Sequence, residues 1–175
     1  MATFTLLPHP ATPCPFVTGL SVVVERLQDG GLRCSYEVAG QVDRLDIPQL
    51  KSATRTDGLW RHTCFEIFLR TAGRPDYDEF NFSPSREWAA YRFEHYRTGM
   101  VELELAEPPV IDYRQEPDLL ELHARIGASE RPSASLQIGL SVVLRSRDGN
   151  VSYWALRHAS DKPDFHHDGG YVDWK

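Results

Sequence analysis

SVVVERLQDGGLRCSYEV, residues Ser21 to Val38, is the stretch whose reading decides the fold. Apolar and polar side chains trade places through SVVVERL (Ser21–Leu27) and again through LRCSYEV (Leu32–Val38). Between them Asp29, Gly30 and Gly31 supply the turn. Successive side chains of a strand point to opposite faces, so this pattern is that of a hairpin with one buried face.

The same alternation recurs outward from that hairpin. VDRLDI (Val42–Ile47) follows the break at Gly40 and is stopped by Pro48, which predicts a further short strand. TCFEIFLR (Thr63–Arg70), DEFNFS (Asp78–Ser83) and EWAAYRF (Glu87–Phe93) read as strands separated by the turn-forming TAGRPD and SPSR. LLELHARI (Leu119–Ile126), SLQIGLSVVLR (Ser135–Arg145) and SYWAL (Ser152–Leu156) follow, the last two joined across RDGN at Arg147 to Asn150. AEPPVIDYRQEPD (Ala106–Asp118) is proline-rich and is expected to be a crossover loop. No stretch carries an apolar stripe at i, i+3, i+4 over three turns. The expectation is one all-β domain over residues 1–175, an antiparallel sandwich or barrel.

Bulk properties exclude several functions. The net charge is -6, with 19 Lys and Arg against 25 Asp and Glu. No basic cluster is present to meet a phosphate backbone or an anionic lipid surface, so neither nucleic acid nor membrane is an expected partner. The three cysteines, Cys14, Cys34 and Cys64, include no CxxC pair, which argues against a disulfide framework or structural zinc. The first residues have no basic region, and prolines interrupt any apolar run. The expected location is therefore the cytoplasm.

Alternation also sorts side chains by face. Phe65, Ile67 and Leu69 oppose Cys64, Glu66 and Phe68; Phe80 and Phe82 oppose Glu79, Asn81 and Ser83; Trp88, Ala90 and Arg92 oppose Ala89, Tyr91 and Phe93. Beside the core face, a second face is expected to carry Glu66, Asn81 and Arg92. It is either a plain solvated face or a binding surface. Trp60 and Trp154 favour binding, because an indole stacks on the apolar face of a pyranose while charged groups take its hydroxyls. Taken singly, either tryptophan is equally at home in a core.

DGLWRHTCFEIFLR (Asp57–Arg70), YDEFNFSPSREWAAYRF (Tyr77–Phe93) and YWALRHASDKPDFHH (Tyr153–His167) resemble the DOMON-like family related to type 9 carbohydrate-binding modules. The resemblance is to small bacterial DOMON-like proteins that occur alone or associated with UDP-N-acetylenolpyruvoylglucosamine reductase. It rests on W-x5-E-x-F-L followed by E-F-N-x-S-P. It implies an immunoglobulin-like β-sandwich whose concave side binds a sugar or a haem, and an association with a cell-wall-precursor enzyme. In the sugar-binding relatives a tryptophan six positions before a glutamate matches Trp60 and Glu66. Their late stacking tryptophan corresponds to Trp154, and their following-strand arginine to Arg92 rather than Arg86.

The haem-binding relatives use an early methionine and a late histidine. His158 matches the latter. Neither Met1 nor Met100 falls near Trp60, so His62 would have to replace the former in a bis-histidine b-type haem site.

A third reading is a metal-assisted enzyme built from Glu66, Asp164, His158 and the late histidines. The chain has no nucleophile elbow, HExxH, P-loop or GxGxxG. Cys64 reads as a small buried hydrophobe, and His123 as an ordinary surface or core residue. In KPDFHHDGG (Lys162–Gly170), Pro163 and the paired glycines predict a loop at the rim of the site. One of His166 and His167 would face the ligand there. The expected function is non-catalytic binding of a small ligand, a carbohydrate or sugar derivative, through Trp60, Glu66, Asn81, Arg92, Trp154 and His158, with no cofactor.

Overall fold

The computed structural model describes residues 1–128, 131 and 136–174. Its strands are β1 (Ala2–Thr5), β2 (Leu7–Pro8), β3 (Val17–Arg26), β4 (Leu32–Gly40), β5 (Cys64–Thr71), β6 (Tyr77–Phe82), β7 (Trp88–Phe93), β8 (Val101–Glu102), β9 (Val110–Gln115), β10 (Leu119–Ile126), β11 (Leu136–Arg145), β12 (Val151–Ala155) and β13 (Val172–Asp173). Among the described residues no helix is long and apolar enough to cross a membrane. The helical pieces there are single 3-10 turns.

Two antiparallel sheets form a β-sandwich. The smaller runs β1-β3-β4-β10-β9; the larger runs β2-β12-β11-β5-β6-β7-β8, with β13 alongside β11. The opening hairpin is β3-β4, paired from Val17↔Gly40 to Arg26↔Leu32. Its inward residues Leu20, Val22, Val24, Cys34, Tyr36 and Val38 meet Phe65, Ile67, Leu69, Phe80, Phe82, Leu140 and Val142 of the larger sheet. Each fully buried aliphatic or aromatic residue contributes roughly 1.5–3 kcal/mol. Tyr36 spans the layers: its ring lies edge-on to Phe65 and its hydroxyl donates to the Glu66 carbonyl at 2.9 Å.

Three expectations change. Val42–Arg44 is a 3-10 turn instead of a strand, and beyond it a lone bridge joins Leu45 to Ser146. The expected crossover loop holds β9, which pairs with β10 at the edge of the smaller sheet, where prolines flanking a strand are tolerated. Position 135, the expected start of the penultimate strand, lies outside the described residues. The N-terminal residues, which carried no clear strand signal, contribute β1 and β2.

The larger sheet is buried on both faces. Strands β5, β6 and β7 are almost continuously buried. Their outer face carries a second apolar cluster of Leu59, Cys64, Phe68, Tyr77, Ala89, Tyr91, Phe93, Val143 and Tyr171. The candidate site lies on this outer face.

Candidate functional site

Cross-strand register fixes which side chains meet on the outer face. Glu66 stands opposite Asn81 and Ser141, Glu79 opposite Tyr91, and Tyr153 opposite Val143. Two segments close over them. Residues 55–62 are tied down by Arg55, whose guanidinium donates to the carbonyls of Ala90 and Leu103 at 3.0 and 2.7 Å. Tyr91 adds a hydroxyl donated to Asp57 Oδ1 at 2.6 Å. Gly58 turns this segment with φ of 74°, a left-handed conformation that favours glycine, just before the 3-10 turn that displays Trp60. The other cover is the C-terminal stretch containing KPDFHHDGG, held by Arg70 on Asp168 at 2.5 Å and Arg97 on Asp164 at 2.8 Å.

Between the covers lies an open cavity of about 320 Å³ lined by Glu66, Glu79, Tyr91, Tyr153, Arg97 and His166, with Trp60 and Met100 among its apolar walls. That volume is at the small end of the range for ligand pockets, roughly 300–1,000 Å³. Trp60 keeps 41% of its surface exposed and meets Tyr91 edge-on, centroids 6.3 Å apart. Phe165 leans edge-on against Tyr153 on another side of the cavity.

The floor is acidic. Glu66 and Glu79 are only 2% and 5% exposed. Ser141 Oγ donates to Glu66 Oε2 at 2.9 Å, and Asn81 Nδ2 donates to Glu79 Oε1 at 2.7 Å. Burial pushes both carboxyls above the ordinary glutamate range, and the charge of Glu79 raises Glu66 further. Ser141, Asn81 and Arg97 oppose the shift without cancelling it.

His166 is fixed as a neutral ring. The Arg97 backbone N–H donates to the Tyr77 hydroxyl at 3.2 Å, and that hydroxyl shares a hydrogen bond with His166 Nδ1 at 2.7 Å. Burial, then the nearby Arg97 charge, lowers the imidazole to about 4. Its Nε2 lies 3.8 Å from Glu79 Oε2, too long for a hydrogen bond. At neutral pH this contact is not an ion pair, because the imidazole carries no charge.

Of the residues expected from sequence, Trp60 and Glu66 line the cavity. Asn81 lies beneath it, fully buried and holding Glu79. Arg92, Trp154 and His158 are elsewhere. Arg92 faces Asp78 in register and bonds it at 2.8 Å, because Phe80 pairs with Ala90 and so puts Arg92 on the core side. Trp154 pairs with Val142, points into the core, and donates its indole N–H to Ser152 Oγ. His158 packs edge-on against His9 and bonds the Leu7 carbonyl at 2.8 Å, lining a separate depression. The outer-face aromatics are the neighbours Tyr91 and Tyr153, each one position from an expected residue.

These residues do not fit a haem. Among the described residues His62 is exposed and does not line the cavity beside Trp60, while His158 lines the separate depression beside His9. His166 and His167 diverge as well: His166 packs among Phe68, Tyr77 and Phe93, whereas His167 Nδ1 accepts from the Gly169 N–H. Among the described residues no three His, Cys, Asp or Glu side chains converge as a metal-ligand set. Cys64 is buried, and its thiol is pushed well up by burial and the two glutamates.

The sandwich is one already seen in a solved protein. The chain superposes on a structure from Bacteroides uniformis ATCC 8492, assigned provisionally to carbohydrate binding, with a TM-score of 0.69 over 99% of this chain and 85% of that one. At 12% identity the likeness establishes the fold alone. Two structures of a family 9 carbohydrate-binding module from Caldicellulosiruptor kristjanssonii superpose more loosely. The glucose complex gives a TM-score of 0.45 at 16% identity, covering 81% of this chain and 70% of that chain. The cellotriose complex gives 0.46 at 15%, covering 86% and 72%. No family model and no curated protein sequence matches this chain.

Proposed function

We propose that this chain binds a sugar or sugar derivative in the cavity over the outer face of the larger sheet. The observation that carries the reading is a solvent-open tryptophan at the wall of a small cavity floored by buried carboxylates. Trp60, Tyr91 and Tyr153 offer flat apolar surface for the C–H face of a pyranose. Glu66 and Glu79 offer acceptors for hydroxyl protons, and the His166 ring and Arg97 offer further polar contacts. The cavity has room for one or two sugar units rather than a long chain. A fold shared with the Bacteroides protein of the same provisional assignment is consistent with this reading.

The test is a saccharide panel read by intrinsic fluorescence. Trp88, Trp154 and Trp174 are buried, so a ligand-induced blue shift reports on Trp60. Saturable shifts with one or more mono- or oligosaccharides are expected. A flat response across a broad panel, with calorimetry also silent, rejects sugar binding.

A further inference from the structure

Resting on the sugar-binding reading, we propose that the preferred ligand is an amino sugar, whose protonated amine is received between Glu66 and Glu79. Each carboxylate has one oxygen engaged, Glu66 Oε2 by Ser141 and Glu79 Oε1 by Asn81. Among the described residues no hydrogen bond reaches Glu66 Oε1 or Glu79 Oε2. Both side chains are more than nine-tenths buried and line the cavity. Two acceptor oxygens are thus held in a largely buried floor with no hydrogen-bond donor on them among the described residues.

The local charge balance points the same way. Arg97 is the cation lining this cavity, and its guanidinium is committed to Asp164 at 2.8 Å. His166 lines the wall as a neutral ring. Arg97 offsets the cost of ionising the two buried carboxyls without cancelling it, so an arriving cation favours their ionised form. An ammonium brings three N–H donors and a positive charge, whereas a hydroxyl brings one donor and none. The walls of Trp60, Tyr91 and Tyr153 add ring faces that attract a cation. A carboxylate-bearing sugar meets like charge instead.

Proton release gives an independent signature. The groups facing the floor are Glu66 and Cys64 on β5, Glu79 and Tyr77 on β6, and Tyr91 on β7 with Asp57 against it. Arg97 comes from the turn after β7, Tyr153 from β12, and His166 and Asp164 from the C-terminal cover. The cysteine and the tyrosines Tyr77 and Tyr91 titrate above the neutral range, and His166 below it. The two glutamates, raised by burial, are the groups that hand off a proton when the ammonium arrives. Affinity for the amine should therefore rise with pH through the glutamate titration, until the amine loses its own proton. Calorimetric heats should also depend on buffer ionisation enthalpy.

The experiment compares glucosamine with glucose, galactosamine with galactose and mannosamine with mannose, and includes glucuronic acid. For the hexose that fits, the amino form should bind at least about tenfold more tightly, about 1.4 kcal/mol. Glucuronic acid should bind weakest. Glu79→Gln and Glu66→Gln should each shrink the ratio of amino-sugar to parent-sugar affinity below about threefold. Should a variant lose its circular-dichroism spectrum, the pH dependence of the wild-type preference decides instead. Equal binding of amino and parent sugar, flat with pH, overturns the amine assignment and leaves sugar binding standing. Absence of binding to every saccharide of the broad panel overturns both.

Discussion

Trp60→Ala should weaken saccharide binding about thirtyfold while leaving the sandwich folded. The magnitude follows from exposure. A tryptophan side chain presents roughly 200 Å², of which 41% remains open here, or about 80 Å². A pyranose seated on one ring face covers about half of that, and its own apolar face loses a similar area. The combined burial of about 80 Å² at ~25 cal/mol per Å² gives roughly 2 kcal/mol, about thirtyfold in Kd. The substitution also removes the edge-on contact with Tyr91 from the folded protein, about 0.5–1.5 kcal/mol of stability. Titration calorimetry with the best ligand of the panel, paired with thermal melting, separates the two effects. Affinity within threefold of wild type refutes the stacking role, and so does a loss that scales with unfolding.

The neighbouring aromatics separate the two faces: Tyr153→Ala should weaken binding with modest loss of stability, whereas Trp154→Ala should cost about 3–5 kcal/mol of stability in denaturant titration, since Trp154 lies in the core. Arg92→Gln and His158→Ala should leave saccharide affinity unchanged, and Arg92→Gln should cost only about 1 kcal/mol or less, because Arg131 still pairs with Asp78. Glu66→Gln should be more stable than wild type at neutral pH. A carboxyl raised in the folded state is fully compatible with folding below the ordinary value of 4.5, and stability is lost as pH rises from there toward its folded titration. The advantage of the variant should thus vanish in acid and grow by about 1.4 kcal/mol per unit of difference, as urea melts across pH would measure.

Most of the sandwich is legible because period-two alternation and turn chemistry are local. LLELHARI pairs as a strand over its full length, and SYWAL and EWAAYRF end within a residue or two of β12 and β7. VDRLDI fails because a six-residue apolar pattern also fits a turn that buries Val42 and Leu45. For Arg92 and Trp154 the difficulty is the choice of face across a hairpin. Trp88 follows Phe82 across the SPSR turn on the same face, so Tyr91 sides with Glu79 while Arg92 sides with the core. Across RDGN the same logic pairs Val143 with Tyr153. Both registers can be counted from the turn, whereas Arg97 and His166 come from segments with no periodicity, and their convergence is a property of the tertiary structure alone.

The outer face shows why a buried carboxylate pair belongs with a cover rather than with a bare sheet. On a solvated sheet Glu66 and Glu79 would be hydrated and titrate normally. The segments anchored through Asp57, Asp164 and Asp168 remove that water. In doing so they create an apolar wall and a largely buried acidic floor at once. Each anchor is a tyrosine or arginine bonded to an aspartate at the margin of the cover, and of them the Arg97 charge still acts on the floor. In the proposed function the ligand is the partner that completes the hydrogen bonding of the two glutamates, and the acidity of the floor is what it must match.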